Sequence, residues 1–202
     1  MKIKSIKPIS SDSKSYDISV NKNHNFYANG ILVHNCSMYK DYIHARSIDG
    51  RSHSSRAWVK QFHSQIAHDI PENWRICGEN LYARHSIEYN DLETYFMGFS
   101  IWNEKNECLS WDDTLEWFDL LGITPVPVFK REIWSEDTET YLKSLTSATD
   151  WSRIEGYVVR NSSSFHYKDF RKNVAKFVRK NHVQTVKHNW QMEQVIPNKL
   201  KA

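Results

Sequence analysis

Residues 34–36 read His34-Asn35-Cys36, three groups that together can break and remake a peptide bond. An asparagine side-chain amide can attack its own backbone carbonyl, closing a succinimide and cutting the chain after itself. A neighbouring histidine can protonate the departing amine or polarise the carbonyl. A cysteine directly beyond is a strong nucleophile that can carry an acyl group as a thioester. Once the peptide is cut, the freed amine of that cysteine lies beside its own thioester, and a sulfur-to-nitrogen shift gives a stable amide. Taken alone, such a tripeptide is a loop with an incidental thiol.

A second group of residues suits nucleotide chemistry. Glu79 and Glu155 each adjoin a glycine, in Gly78-Glu79 and Glu155-Gly156, and residues 176–180 form the basic run Lys176-Phe177-Val178-Arg179-Lys180. Carboxylates of this kind suit sugar hydroxyls and a metal, and the cations suit phosphates. Each piece alone is common, and a basic strand is most often a solvated one.

These residues need elements to hold them. Residues 2–20 alternate apolar and polar, which predicts short strands broken by a loop at 8–15. Asn29-Gly30 between two apolar runs predicts a hairpin, since both central residues of that turn need positive φ. Residues 1–35 are thus strand-rich and too few to bury a core. Beyond Cys36, a helix is expected at 55–68 with Trp58, Phe62 and Ile66 on one face. Strands are expected at 74–81, 95–102, 126–129, 156–160 and 174–179. Helices are expected from 111, capped by Ser110 and stopped by Gly122, and from 135 to about 148. The fold class is α+β: a short β-rich segment, then mixed antiparallel sheets with helices.

Composition fits a packed protein of one domain plus a short appendage: 202 residues, 40% apolar and 13% aromatic. No apolar run is long enough to cross a bilayer and no signal-peptide pattern opens the chain, so no membrane partner is expected. The three cysteines, Cys36, Cys77 and Cys108, form neither a disulfide framework nor a zinc pair, which suggests reduced thiols and a cytoplasmic site. The net charge of +3 is unevenly placed. Residues 1–35 carry +3, 36–167 carry −7 and 168–202 carry +7. A basic end on an acidic body suits an anionic partner, and equally a solvated face.

The run from His24 to Cys36, together with Tyr16-Asp17-Ile18-Ser19-Val20, resembles the terminal conserved blocks of inteins. By that resemblance His34 is the penultimate histidine, Asn35 the cyclising asparagine and Cys36 the first extein residue. Asp17 and His24 match the auxiliary Asp and His of the blocks. The N-terminal intein blocks are not found, so a split intein acting in trans is expected, and splicing itself needs no cofactor. The lysines of residues 1–22 would then steer an acidic N-terminal half into place; otherwise they serve solubility.

Residues 37–200 resemble the ATP-dependent RNA ligases of phage and bacterial type, within the covalent nucleotidyltransferases. The resemblance rests on Tyr39–Ser47, the run from Gly78 to Ile87, Phe99–Trp102, Glu155-Gly156 and Asn181–Thr185. It implies a nucleotidyltransferase (ATP-grasp-like) ligase domain that uses ATP, with AMP as the transferred group, and Mg2+ or Mn2+. Arg46 would contact a phosphate, Glu79 the ribose and Phe99 the adenine; without the resemblance Phe99 reads as a core residue. Glu155 would bind metal or orient the nucleophile. Lys176 and Arg179 would hold the α-phosphate, with Lys180 as the alternative to Arg179.

The family's nucleophile is the lysine of a Lys-x-Asp-Gly motif. Here the sole Asp-Gly is Asp49-Gly50, and the residue two places before Asp49 is Ser47. In the family the motif lies just before the position of Ser37. The expected organisation is therefore a C-terminal split-intein fragment at 1–35 and, at 36–202, a ligase portion without its lysine. The expected function is a precursor whose trans-splicing rebuilds an RNA ligase, joining 5′-phosphate and 3′-hydroxyl ends through enzyme-AMP and RNA-adenylate intermediates in a bacterial or phage-infected cell. Its partners would be an N-terminal precursor chain and RNA ends. The alternatives are an inactive RNA- or nucleotide-binding remnant, and a DNA-ligase or capping-type enzyme.

Overall fold

The computed structural model describes residues 6–8, 16–18, 35–45, 54–84, 87–148, 156–178 and 195–202. Strands β1 (Ile6–Pro8) and β2 (Tyr16–Ile18) pair antiparallel, with Ile6 opposite Ile18 and Lys7 opposite Asp17. Strands were expected here, but Pro8 ends a strand rather than opening the loop. The Asn29-Gly30 hairpin lies outside the described residues.

The next elements are β3 (Asn35–Met38), β4 (Ile43–Ala45), helix α1 (Ala57–Ile66), β5 (Arg75–Asn80), β6 (Phe96–Trp102) and β7 (Glu107–Cys108). They are followed by α2 (Trp111–Leu120), β8 (Thr124–Pro125), α3 (Glu136–Ala148), β9 (Gly156–Arg160), β10 (Phe165–His166), α4 (Phe170–Asn173) and β11 (Val174–Val178). Among the described residues, one sheet runs in the order β10-β7-β6-β5-β3-β4, with β8 added parallel to β6. Its other pairings are antiparallel, and β9 and β11 form a separate antiparallel pair. The α+β reading holds.

Period-2 patterning places the two faces of the sheet. Cys36 and Met38 of β3 line up with Gly78 and Ile76 of β5 and face α1 and α2. There they join Val59, Ile66, Ile70, Phe96, Ile101, Phe118, Leu121 and Ile123 in the main core. Burying each large apolar side chain contributes about 1.5–3 kcal/mol. The opposite face carries Trp102, Cys108 and Phe165, with Cys77 and Val174 packed against them.

Helix α1 is shorter than the stretch expected, because 3-10 turns at Ser54–Arg56 and Ala67–Asp69 flank it. Its fully buried stripe is Val59, His63 and Ile66, about one residue round from Trp58 and Phe62, which are half-buried and stacked. The polar His63 lies inside because its Nε2 meets the Tyr39 carbonyl oxygen at 2.6 Å. Ser110 caps α2 by accepting from the Asp113 backbone N–H at 3.1 Å, and Ser135 caps α3 through the Thr138 N–H at 3.3 Å. Gly122, at φ +64°, ends α2.

The strand expected at 126–129 is corrected to the two-residue β8. Pro125 and Pro127 lack the N–H groups a longer ladder needs, and Val128 and Phe129 lie exposed. Residues 195–202 return to the loop 81–92. Asn198, nearly fully buried, anchors them: its Oδ1 accepts from the Tyr89 N–H at 2.9 Å and its Nδ2 donates to the Leu81 carbonyl at 2.8 Å.

Candidate active site

Ser37, Cys77 and Glu79 share one face of the sheet. Asn35 pairs with Glu79, and Ser37 pairs with Cys77 on one side and His44 on the other. Across β6, Met97 lies opposite Glu79, and Ser100 opposite Cys77. Between those pairs Gly78 lies opposite Gly98, so Phe99 is an extra residue of β6 at a β-bulge. A bulge re-aims its side chain and bends the strand, which explains why Phe99 is half-buried rather than locked in either core.

Two glycines permit this crowded geometry. A Cβ on Gly78 would sit 2.6 Å from the Met97 carbonyl oxygen and 2.3 Å from a ring carbon of Phe96. On Gly98 it would meet the Phe118 ring at 2.4 Å. The glycine before Glu79 is thus a packing requirement of the strand.

Lys176 lies on β11, opposite Val158 of β9. Its strand face is shared with Val174, which packs on the Trp102–Cys108–Phe165 cluster, so Lys176 is on the side of the β9–β11 pair that turns to the sheet. Both Lys176 and Val158 are exposed there. On the other side Tyr157 and Phe177 stack at 5.1 Å, and the Tyr157 hydroxyl donates to the Leu142 carbonyl of α3 at 3.4 Å.

Arg160, which the sequence reading did not single out, ties the pair to the sheet. Its Nη1 donates to the Phe99 carbonyl at 2.9 Å, and its Nη2 to the Leu109 carbonyl at 3.3 Å and the Cys108 Sγ at 3.4 Å. Its guanidinium also lies over the rings of Trp111 and Phe165, at 5.5 and 5.8 Å. The signal was present: a single cation closes an otherwise apolar strand, Gly156-Tyr157-Val158-Val159-Arg160. The carbonyl that Arg160 holds is that of the bulged residue, so one side chain fixes Phe99 relative to the strand pair carrying Lys176.

Cys36 is 2% exposed, between β4 and β5. Burial pushes its thiol up to about 12, with Glu79 adding to the shift and Arg56 opposing it. Burial also raises the Cys77 thiol, against a contact with the Ser37 hydroxyl at 3.6 Å, and raises the Cys108 thiol against Arg160. All three cysteines are free. In this arrangement Cys36 is a core residue, and the 35/36 position falls inside β3.

Of the residues singled out in the sequence, Asn35, Glu79 and Phe99 lie on the neighbouring strands β3, β5 and β6, Cys36 turns to the core on the other face of the sheet, and Lys176 lies on the strand pair joined to the sheet by Arg160. Asp17 is on β2, opposite Lys7. His24, His34, Arg46, Glu155, Arg179 and Lys180 lie outside the described residues. Among the described residues no group of three or more His, Cys, Asp or Glu could hold a metal ion, and no helix is long and apolar enough to cross a membrane.

A family model described as RNA ligase matches residues 18–178, four fifths of the chain. The matched range begins upstream of Cys36. Over 38 residues the chain is 60% identical to a protein named tRNA-splicing ligase RtcB from Methanocaldococcus jannaschii; this covers 18% of the chain and 4% of that protein's length. No solved structure matches.

Proposed function

Because this chain belongs to the RNA ligase family, we propose that its nucleotide site lies between the main sheet and the β9–β11 pair, and that it seals 5′-phosphate to 3′-hydroxyl RNA ends. The observation that carries this reading is the Arg160 tie, which sets the Phe99 bulge, beside Glu79, against the strand that bears Lys176. The residues fit a nucleotide: Phe99 offers a half-buried ring for the base, Glu79 a carboxylate for the ribose hydroxyls, and Lys176 an exposed cation for the α-phosphate. ATP, when bound, supplies the adenylyl group. Glu79 and Phe99 orient it, and Lys176 offsets charge at the phosphate. Glu155, outside the described residues, is the residue that would bind a divalent metal, and no step is derived through one.

No Lys-x-Asp-Gly motif, which carries the AMP-accepting lysine in the RNA ligases this sequence resembles, occurs in the chain. We infer that it arrives by protein splicing. An N-terminal segment ending in the lysine motif passes to Cys36, Asn35 cyclises with proton help from His34, and residues 1–35 leave, with Asp17 and His24 assisting. Cys36 reacts before β3 is zipped between β4 and β5, since a buried thiol with its proton held this tightly is neither reachable nor nucleophilic. Once joined, the same residue fills the core.

The test has two parts. The chain is mixed with a partner carrying the missing lysine motif and the complementary intein half, and the product is weighed; the Asn35→Ala variant is carried alongside. Wild type should give a ligated product lacking residues 1–35, and Asn35→Ala should associate without releasing them. Release of residues 1–35 from Asn35→Ala would sink the splicing role. The joined product is then given labelled ATP with nicked RNA or nicked DNA, and a preference for DNA would overturn the RNA assignment. The missing lysine motif also favours a second reading, a nucleotide- or RNA-binding remnant without catalysis, which predicts that the chain persists at full length, gives no joined product and binds AMP or RNA without taking up label.

A further inference from the structure

Next to the candidate nucleotide site, at the β7–β10 edge of the sheet, aromatic rings and cations alternate in one short segment. Residues 166–176 read His-Tyr-Lys-Asp-Phe-Arg-Lys-Asn-Val-Ala-Lys, with four cations against one carboxylate. Lys168, Arg171, Lys172 and Lys176 are all exposed. So is Tyr167, at 52%, and Phe170, at 38%.

The two rings are held in place. Tyr167 and Phe170 lie 5.9 Å apart, and each packs on Trp102 beneath, at 5.6 and 6.1 Å. Trp102 is itself buried, edge-on to Phe165 at 5.7 Å, with the Arg75 guanidinium 4.8 Å over its ring. The backbone of Tyr167 is fixed by its N–H donating to the Asn106 carbonyl at 3.0 Å. Held this way, the two rings keep part of their surface in water, where a base can stack on it. Asp169 is engaged by Lys172 at 2.9 Å, which holds its carboxyl below the ordinary value and leaves a net positive surface around the rings.

We propose that residues 167–176, seated on Trp102, form a docking surface for an unpaired stretch of RNA beside the ends to be joined. The inference rests on the RNA ligase reading and adds a place and a strandedness to it. Bases stack on Tyr167 and Phe170, and a phosphate beside them is met by the exposed Lys168. The chain then runs directly through Val174 to Lys176, the cation assigned to the nucleotide phosphate. RNA held here is therefore carried along the same segment toward the reacting phosphate. A duplex fits poorly, because its bases are already stacked on one another and offer no free face.

The test uses the full chain and fluorescence anisotropy with a short unstructured single-stranded RNA and a blunt RNA duplex, with AMP binding measured in parallel. Tyr167→Ala should weaken single-strand binding roughly 5- to 150-fold, the range for one base–aromatic stack. Tyr167→Phe should retain most of it, and both variants should bind AMP as wild type does. Lys168→Ala should lower the slope of log affinity against log salt by about 0.7, one phosphate contact on a single strand. Because Phe170 packs on the buried Phe165 as well as on Trp102, the more exposed Tyr167 carries the test. Unchanged single-strand affinity in Tyr167→Ala, or an equal loss on the duplex, overturns the proposal. A chain that binds AMP but no single-stranded RNA also overturns it and leaves the nucleotide reading standing. Tyr167-dependent RNA binding without AMP binding supports the platform and counts against the nucleotide site.

Discussion

Three glycines should respond to alanine in a fixed order, each for a different reason. At Gly78 the new methyl would lie 2.3 and 2.6 Å from ring carbons of Phe96 and 2.6 Å from the Met97 carbonyl oxygen. Carbon contacts are comfortable at about 3.5–4.0 Å. The Phe96 ring is 1% exposed and pressed on Phe62 at 5.8 Å, so it has nowhere to turn. The oxygen is backbone, so β5 and β6 must part to relieve it. Overpacking a core costs about 1–3 kcal/mol, and a clash with backbone belongs at the top of that range. Gly98→Ala meets only side-chain atoms, the Phe118 ring at 2.4 Å and the Ile123 Cγ2 at 2.9 Å, and should cost about 2 kcal/mol. Gly122→Ala meets nothing within 4 Å, but at φ +64° a Cβ is strained by about 1 kcal/mol. The assay is urea unfolding of the three variants, compared by midpoint at constant m-value. Gly78→Ala should be the least stable and, because Glu79 is the next residue, should also bind AMP most weakly. If Gly78→Ala stays within about 0.5 kcal/mol of wild type, the range for an ordinary surface substitution, or if Gly122→Ala is the worst of the three, the packing account of the Gly78-Glu79 strand is wrong.

Other expectations follow from the same geometry. Arg160→Met leaves the Phe99 and Leu109 carbonyls short of a donor, which should cost about 1–3 kcal/mol. It should weaken AMP binding more than it lowers the urea midpoint predicts, with partial rescue in Arg160→Lys; wild-type AMP affinity in Arg160→Met would remove the tie from the site. For Cys36, the thiol is raised from 9.0 to about 12 in the folded chain. The unfolded thiol therefore ionises first as pH rises, so the contribution is intact below pH 9 and fades between about pH 9 and 12. At pH 10 the loss from this group is about 1.4 kcal/mol. The wild-type drop in unfolding free energy over that range should shrink in Cys36→Ala, and an identical pH profile in the two would refute it. Iodoacetamide near neutral pH should leave Cys36 unmodified in the folded chain and label it in urea.

The elements with a strong period were legible from the sequence. Helices α1, α2 and α3 and strands β5, β6, β9 and β11 lie where patterning and the Ser110 and Ser135 caps put them, with ends shifted by a residue or two. The short β1 and β2 also fall in the alternating run 2–20, but the other short strands were not legible. β7 and β10 hold two residues each, too few for any period to show. β3 carries Asn35-Cys36-Ser37-Met38, whose strand character comes from pairing with β4 and β5 rather than from propensity. The candidate site was legible only as residue types: Glu79 and Phe99 fall on neighbouring strands and Lys176 on the separate β9–β11 pair. The bulge that frees Phe99 was hidden, since it depends on the register of two strands sixteen or more residues apart in the chain. Arg160 stood out in the sequence only as the one cation of an apolar strand; its partners are mostly backbone carbonyls, which carry no sequence signal.

The anchoring of Asn198 has a consequence for how the chain folds. Its bond to the Leu81 carbonyl spans 117 residues and its bond to Tyr89 spans 109, among the longest separations joined in the molecule. Closing a loop of that size is opposed by chain entropy until the intervening segments are already compact. Leu81 and Tyr89 therefore gain these partners late, after the intervening sheet has formed, and folding rate should fall with such non-local closures. The stretch that follows Glu79 is thus completed by the far end of the sequence, and its order is a readout of whether the whole domain has closed.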